Sequence, residues 1–320
     1  MRAMKLENQT QGKETFHVPV LLERVLETLA LRPGMRVVDA TLGGGGYTRA
    51  LLERVGPSGQ VMAFDWDRAA IEQFRITASR EALLQTALDT KQLLLCQTSY
   101  AAIGEVLHEH HWEAADAIVA DLGVSSDQLA DPSRGISFQT DGPLDMRLNS
   151  NETVQAKQIL NAWDEAALAD LFRTYGDEPE AERIAGVVVQ HRKQFPLATT
   201  TELKELIWKN VAGPRRRGKT HPATKVFQAL RIAVNSERTH LERFLLAIPG
   251  VLRFGGRAAV VSFHSGEDAI VKHLFQTEIR SEKSRLTWVT KKPIVPGQDE
   301  IRLNPRARSA KLRVVEKNKN

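Results

Sequence analysis

Four consecutive glycines, Gly43 to Gly46, are the residues of this chain best suited to bring its backbone close to a ligand. They follow an apolar run at 35–38, typical of a short buried strand, and precede an apolar spacing at 49–55, typical of a helix. Glycine has no Cβ to collide with a ligand, and the first turn of a helix offers free N–H groups. This order therefore predicts a nucleotide-type binding unit, with a flexible loop that binds nothing as the alternative.

Asp65 lies about twenty residues beyond the glycines, at the end of a second apolar run. An acidic side chain at that position can accept hydrogen bonds from both hydroxyls of an adenosine ribose. Helix capping is the alternative role, and Asp67, directly before Arg68, suits capping better. The pattern fits NAD, FAD and S-adenosylmethionine, but the GxGxxG spacing is met only loosely, which disfavours a dinucleotide.

A second polar cluster, Asp121-Leu-Gly-Val-Ser-Ser-Asp-Gln128, follows the apolar run at 117–120. In a doubly wound sheet it would lie beside the glycines, so that Asp121 points toward the reactive end of a cofactor while the loop lines a substrate pocket. A polar strand-to-helix turn is the alternative. The long segment that follows, rich in glycine and aspartate, favours a functional loop.

The elements that would position these residues alternate between strand and helix patterns. We expect an α/β fold with a mostly parallel, doubly wound sheet, whose ligands collect at the carboxyl ends of the strands. From about Pro132 to His221 only helical patterns occur, which indicates a helical insertion, and a single long helix is predicted from Ala223 to about Ala247. Five strands and two final edge strands are predicted at 35–38, 61–64, 93–96, 117–120, 257–263, 286–290 and 311–315.

The composition of the 320 residues is that of a globular protein, with 42% apolar and 26% charged residues and a formal charge of +5. The single cysteine, Cys96, excludes an intramolecular disulfide and favours the reducing cytoplasm. No apolar run reaches the length of a membrane span, and the polar N-terminus has no signal core. The basic excess is compatible with nucleic acid without establishing it.

Nine short motifs, in this order along the chain, resemble those of the RsmH (MraW) family of bacterial ribosomal RNA cytosine-N4 methyltransferases. The resemblance extends from about His17 to Val315. The motifs are Asp121-Leu-Gly-Val-Ser-Ser126, Arg134-Gly-Ile-Ser-Phe138, Asp141-Gly-Pro-Leu-Asp-Met-Arg147, His221-Pro-Ala-Thr224, Phe227-Gln-Ala-Leu-Arg231, Asn235-Ser-Glu237, Gly255-Gly-Arg257, Ser262-Phe-His-Ser265 and Asn304-Pro-Arg-Ala-Arg308.

The resemblance implies a class I (Rossmann-like) methyltransferase that uses S-adenosylmethionine and no metal. Its substrate would be a cytidine in the decoding region of small-subunit (16S) ribosomal RNA, as naked RNA or in the assembled subunit. Tails at 1–15 and 317–320 would flank a catalytic domain of residues 16–131 and 236–316, interrupted by a helical substrate domain at 132–235. The implied cofactor contacts are Gly43, Gly45, Gly46, Tyr47, Asp65, Tyr100, Asp121 and Gln128. At Tyr47 the family commonly has histidine, and Gly266 and Ala269 also depart from its pattern.

Methylation of a cytosine amine requires oxygen acceptors, because the nitrogen lone pair is conjugated with the ring and the amine must lose a proton. The candidate acceptors are Asp121, Ser125, Ser126 and Asp145, in a pocket that receives an unstacked base. His264 would approach the same pocket or hold Glu267. Phe138 and Met146 would stack on the base or anchor the loop, and His221, Asn235 and Glu237 would bind substrate or form a helix start and its exposed face.

Basic residues cluster in two segments, where they would contact RNA phosphates or form ordinary solvated loops. The candidates are Arg215, Arg216, Arg217, Lys219, Arg306 and Arg308. Two other functions remain open from the residues alone. A nicotinamide-dependent oxidoreductase explains only the glycines and Asp65, and a non-catalytic RNA-binding assembly protein explains only the helical insertion and the basic segments.

Overall fold

A computed structural model describes residues 19–218 and 220–318 of the chain. The predicted tail at 1–15, Lys219 and residues 319–320 lie outside the described residues. The C-terminal tail expected from residue 317 begins later, because Lys317 still pairs with Leu286 in the sheet. Within the described ranges, no helix is both long and apolar enough to cross a bilayer.

Seven strands form one sheet in the order β3-β2-β1-β4-β5-β7-β6. The strands are β1 (Arg36–Asp39), β2 (Gln60–Asp65), β3 (Leu93–Gln97), β4 (Ala115–Asp121), β5 (Leu252–Ser262), β6 (Leu286–Trp288) and β7 (Lys311–Lys317). Strands β1 to β5 are parallel, whereas β7 runs antiparallel to both β5 and β6. The predicted mostly parallel α/β fold is confirmed. The prediction that β7 is an edge strand is wrong, since it lies between β5 and β6.

Helices connect the strands and build the insertion. They are α1 (Leu22–Leu29), α2 (Gly46–Val55), α3 (Arg68–Ala78), α4 (Ala82–Asp89), α5 (Ile103–Glu109), α6 (Ser126–Ala130), α7 (Ala156–Ala162), α8 (Glu165–Gly176), α9 (Ala181–Arg192), α10 (Thr200–Asn210), α11 (Gly213–Arg216), α12 (Ala223–Val234), α13 (Glu237–Val251), α14 (Ser265–Arg280) and α15 (Gln298–Leu303). Short 3-10 helices lie at Tyr100–Ala102, Pro132–Arg134 and Pro305–Ser309.

Helices cover both faces of the sheet. Successive residues of a strand point to opposite sides, so a continuous apolar strand has side chains to bury on both faces. Val37 of β1 packs with α1 to α4, whereas its neighbour Val38 packs with α5, α13 and α14. The same alternation separates Val119 from Ile118 in β4. The result is a three-layer α/β/α arrangement in which Cys96 is buried, as its apolar neighbours predict.

Helices α7 to α10 and α12 share a hydrophobic core of their own, separate from the two beside the sheet. Leu160, Phe172 and Val226 are among its buried members. Between residues 132 and 218 the described chain contains no strand, only an isolated bridge between Pro143 and Thr199.

The structure corrects three helix predictions, which are the single long helix, the exposed position of Asn235 and the helix end at Pro249, and it adds α4. The long helix expected from Ala223 is two helices, because Ser236 has a left-handed φ of 48°. The side chain of Asn235 is buried there, where it donates to the Met146 carbonyl (2.8 Å) and accepts from the Leu148 N–H (2.7 Å). Asn235 therefore does not lie on an exposed helix face. Pro249, expected to end the helix, lies within α13, and the sequence did not indicate α4.

Candidate active site at the carboxyl edge of the sheet

A cavity of about 950 Å³ lies where the parallel strands end. The glycine turn, Asp65 and Tyr100 form one side of it, and the loop that follows Asp121 forms another. Phe138 and other residues of the helical insertion close the side away from the sheet. The sequence predicted a ligand site at this edge of the sheet, and most of the predicted site residues line the cavity.

The glycine turn is fixed by its own contacts. Gly43 and Gly45 have left-handed φ values of 48° and 78°, and a Cβ at Gly45 would overlap the ring of Phe74. The Gly43 N–H donates to Asp65 Oδ2 over 2.9 Å, and α2 begins at Gly46. Gly45 is thus required by backbone conformation and internal packing, while Gly43 and Gly46 line the cavity.

Tyr47 is buried in the first turn of α2. Its hydroxyl donates to the carbonyl oxygen of Val20 over 2.5 Å and so connects α2 to the segment before α1. Burial, followed by the nearby carboxyls of Asp121 and Asp39, raises the pKa of Tyr47 well above its usual value. The hydroxyl therefore stays protonated and serves as a donor within the protein.

Two aspartates after β2 have different roles. Asp65 accepts hydrogen bonds from the N–H groups of Gly43 and Asp67, both over 2.9 Å, and burial raises its pKa to about 6. Asp67 caps α3 by accepting from the Ala69 N–H over 2.9 Å, which confirms the predicted capping. The guanidinium of Arg134 also binds Asp67.

Asp121 ends β4 at the base of the cavity. Its N–H donates to Thr41 Oγ1 over 2.7 Å, but its own Oδ1 is buried and has no hydrogen-bond partner among the described residues. Burial, then the carboxyls of Asp39 and Glu267, raises the pKa of Asp121 well above its usual value. A buried oxygen without a partner is costly, so this atom is suited to meeting a ligand.

Asp39 is a residue that the sequence reasoning missed. It ends β1 as Asp65 and Asp121 end β2 and β4, and that repetition was the available signal. It is fully buried beneath the glycine turn, accepts from Thr48 Oγ1 over 2.6 Å, and has a pKa raised by burial to about 6. Its charge is one reason why Asp121 resists ionisation.

The loop after β4 is held by a capping box at the start of α6. Ser125 Oγ accepts from the Gln128 N–H (3.2 Å), and Gln128 Oε1 accepts from the Ser125 N–H (2.9 Å). Gln128 Nε2 donates to Asp67 (3.1 Å), and Ser126 Oγ accepts from Arg306 Nη1 (2.6 Å). Both serines line the cavity, and the amide of Gln128 already has protein partners at both ends.

The predicted acceptor Asp145 is not part of this cavity. Its two oxygens accept from Arg147 Nε (2.7 Å) and Nη2 (2.8 Å), and Oδ2 also accepts from Gln155 Nε2 (2.8 Å). Burial opposes ionisation of Asp145, but the bonds from Arg147 outweigh it and lower its pKa. The neighbouring Met146 is fully buried in the helical core, so it anchors the loop and does not face a base.

Other predicted polar residues also have structural roles. His264 caps α14 by accepting from the Glu267 N–H over 3.3 Å, and its Nε2 lies 3.1 Å from Glu267 Oε1. Glu237 binds the guanidinium of Arg231 over 2.8 and 3.0 Å, and both residues line the cavity. Tyr100 also lines the cavity, with its ring 5.2 Å from that of Phe244.

The residues predicted to bind RNA phosphates differ in whether they are exposed or paired within the protein. Arg215 is bound to the buried carboxylate of Glu178 and to Glu180 (3.2 Å), so it is an internal ion pair and not a free phosphate contact. Arg216 and Arg217 are exposed. Exposed Arg306 lies at the cavity and Arg308 is exposed nearby in the chain, whereas Lys219 lies outside the described residues.

Comparison with known proteins identifies the family of the chain. Residues 14–318 match the model of the MraW methylase family. The ribosomal RNA small subunit methyltransferase H of Solidesulfovibrio magneticus is 42% identical, over 95% of this chain and 96% of that protein. The protein of the same name from Thermomicrobium roseum is 44% identical, over 95% and 94%.

Among solved structures, an rRNA methylase from Streptococcus thermophilus aligns over 92% of this chain and 93% of its own, with 14% identity and a TM-score of 0.42. A likeness that distant bears on neither substrate nor mechanism. The matches along the whole sequence carry the assignment and confirm the resemblance of the motifs. The chain belongs to the MraW methylase family of methyltransferases, and its cofactor is S-adenosylmethionine.

Proposed function

We propose that the protein transfers the methyl group of S-adenosylmethionine to the N4 amine of a cytidine in the decoding region of small-subunit (16S) ribosomal RNA. The relatives' shared name supports this class of substrate. The observation that carries the proposal is the buried, unpartnered oxygen of Asp121, in a cavity bounded by the glycine turn and the helical insertion.

The charges of the cavity suit this cofactor. Asp65 and Asp121 present carboxyl groups to it, and the guanidinium of Arg231 is already paired with Glu237. S-adenosylmethionine supplies a reactive methyl group on a positively charged sulfur. Nearby carboxylates stabilise that positive charge. A dinucleotide would instead bring a negatively charged pyrophosphate toward these carboxyls. The family match likewise favours methyl transfer over the nicotinamide alternative.

We assign separate roles to the groups of residues that line the cavity. Asp65 accepts the ribose hydroxyls, Gly43 and Gly46 allow close approach of the backbone, and Tyr100 lies near the adenine. Asp121 accepts a proton of the cytosine amine, with Ser125 or Ser126 as the second acceptor. A carboxylate with a raised pKa is the stronger base at its site, which suits Asp121 to a poorly nucleophilic amine.

We assign residues 132–235 to a substrate domain, supported by their separate hydrophobic core. Phe138, which lines the cavity, would stack on the target base. Exposed Arg216, Arg217, Arg306 and Arg308 would bind phosphates of naked RNA or of the assembled small subunit. Asp145 and Arg215 are left out of these roles, because their charged groups are already paired.

The test is methyl transfer from labelled S-adenosylmethionine to small ribosomal subunits from cells that lack the protein. Naked 16S ribosomal RNA and DNA serve as parallel substrates. We expect label in N4-methylcytidine after digestion to nucleosides, and none in DNA. Label in a different nucleoside would contradict the proposed position. RNA binding without any label would favour the non-catalytic assembly protein.

A further inference from the structure

A row of aromatic rings leads from the surface of the helical insertion to the cavity. Trp208 of α10 is stacked on His221, with ring centres 5.0 Å apart and an angle of 18°. The ring of His221 lies 4.9 Å from that of Phe138, which lies 4.9 Å from that of Phe227. Such separations are those of interacting aromatic pairs.

The two ends of this row have different surroundings. Phe138 and Phe227 line the 950 Å³ cavity of the candidate active site. Trp208 and His221 line a second, more open cavity of about 420 Å³, and the indole is 38% exposed. The row therefore joins the proposed target-base pocket to a separate aromatic surface.

The exposed end of the row is held in place. His221 Nδ1 accepts the Ala223 N–H over 3.1 Å at the start of α12, which fixes the plane of the ring. Burial, and then the charge of Lys204, lowers the pKa of His221. The ring is therefore neutral at pH 7, and Trp208 rests on a flat, uncharged and oriented partner.

Positive charge surrounds this aromatic pair. Lys204 and Lys209 line the same open cavity together with Glu205, which accepts from Lys209 over 3.3 Å. The segment that connects Trp208 to His221 carries the exposed Arg216 and Arg217. Stacked rings beside several cations are the combination that binds single-stranded nucleic acid, in which bases stack on aromatics and phosphates meet the cations.

We propose that Trp208, supported by His221, is a stacking site for an unpaired base of the RNA substrate, at a nucleotide other than the target cytidine. Lys204, Lys209 and Arg216 would hold the adjoining phosphates. This inference rests on the proposed RNA substrate. The site fixes where a neighbouring nucleotide lies and takes no part in methyl transfer.

The test compares Trp208→Ala and Trp208→Phe with Trp163→Ala in the full-length protein. Trp163 is a matched control, because its side chain lies in the same insertion and is 40% exposed. The probes are small ribosomal subunits that lack the modification and a single-stranded oligoribonucleotide of the decoding region. The measurements are the Kd for RNA, the KM and kcat for methyl transfer, and the Kd for S-adenosylmethionine.

We expect Trp208→Ala to weaken RNA binding by about 5- to 150-fold, the range for loss of one base–aromatic stack. Trp208→Phe should retain most of the binding, Trp163→Ala should match the wild type, and the Kd for S-adenosylmethionine should not change. Wild-type affinity in Trp208→Ala would overturn the stacking site alone. Failure of the wild-type protein to bind or methylate RNA would overturn the proposed function.

A second measurement does not depend on the folding of the alanine variant. Tryptophan fluorescence of the wild type and of Trp208→Phe is followed as the oligoribonucleotide is added. We expect a quenched component in the wild type that Trp208→Phe lacks, because a stacked base quenches the indole beneath it. Identical quenching in the two proteins would contradict the stacking site.

Discussion

The surroundings of Asp121 and Asp145 show how two aspartates from similar sequence motifs acquire different roles. Both follow apolar residues, both have glycine nearby, and both belong to motifs that resemble those of the family, although Asp121 ends β4 and Asp145 lies in a loop. Asp145 has hydrogen bonds from Arg147 and Gln155, whereas Oδ1 of Asp121 is buried without a partner. The sequence motifs predicted both aspartates as proton acceptors. The hydrogen bonds distinguish them, because only Asp121 retains a carboxyl oxygen without a partner among the described residues.

The pKa values of Asp121 and Asp145 shift in opposite directions because only one of the two carboxyls is paired. Burial acts on both carboxyls, but only Asp145 has a guanidinium close enough to reverse its effect. Asp145 is therefore an ionised structural group that stabilises its loop. Asp121, beside the carboxyl of Asp39, has a raised pKa and an Oδ1 without a hydrogen-bond partner among the described residues.

Replacement of Asp121 should give the largest effect on activity. In Asp121→Asn we expect single-turnover methyl transfer to fall by about 10²- to 10⁴-fold, the range for loss of a positioned proton acceptor. Thermal unfolding should occur at the wild-type temperature or above it, because no internal ion pair is lost. Near-normal transfer by this variant would remove Asp121 from the reaction.

Asp145→Ala should show the reverse pattern. Removal of this carboxylate leaves Arg147 and Gln155 without their acceptor, so we expect a loss of about 2 kcal/mol in the free energy of unfolding. Methyl transfer per folded molecule should remain within about threefold of the wild type, since Asp145 lies outside the cavity. Chemical denaturation and a rate measured well below the unfolding temperature would separate the two effects.

The basic residues provide a second contrast, between a paired arginine and two exposed ones. Arg215→Ala would leave the buried carboxylate of Glu178 unpaired, and we expect it to destabilise the protein by about 3 kcal/mol or more. Arg216→Ala and Arg217→Ala should leave stability unchanged but reduce the slope of log K for RNA against log salt by about one each. Filter binding at several salt concentrations measures this slope. An altered slope in Arg215→Ala, with stability unchanged, would reverse the assignment.

Asp65 should produce a smaller, pH-dependent effect. Its folded-state pKa of about 6 is above the ordinary 3.8, so the folded protein binds more protons than the unfolded chain between these values. The free energy of unfolding of the ligand-free protein should therefore decrease as the pH rises from about 4 to 6, with a similar contribution from Asp39.

Affinity for S-adenosylmethionine should change in the opposite direction, because only ionised Asp65 can accept from both ribose hydroxyls. The Kd should increase as the pH falls through about 6, by up to about tenfold per pH unit. Titration calorimetry of the wild type and Asp65→Asn tests this, since the variant should bind weakly with little pH dependence from this position. An unchanged pH profile in Asp65→Asn would assign the dependence to another group.

The sequence was sufficient to predict the order of the strands along the chain and the edge where polar residues gather. Parallel strands end at one edge of a sheet, so Asp65 and Asp121 had to lie there. The sequence did not reveal the break between α12 and α13 at Ser236. Apolar spacing continues through this position, and a residue other than glycine with a left-handed conformation has no strong sequence signature. Nor did it reveal that Arg215 is paired, because Glu178 lies 37 residues away in the sequence.

The most direct test is a crystal structure with S-adenosylhomocysteine and cytidine bound. We expect S-adenosylhomocysteine between the glycine turn and the loop after β4, with Asp65 on the ribose, and the amine nitrogen of the cytidine within about 3.2 Å of Asp121 Oδ1. The ion pair between Asp145 and Arg147 should be unchanged. Ligand density elsewhere, or an Asp121 that remains unpartnered beside a bound ligand, would contradict the proposed role of the unpaired carboxyl group.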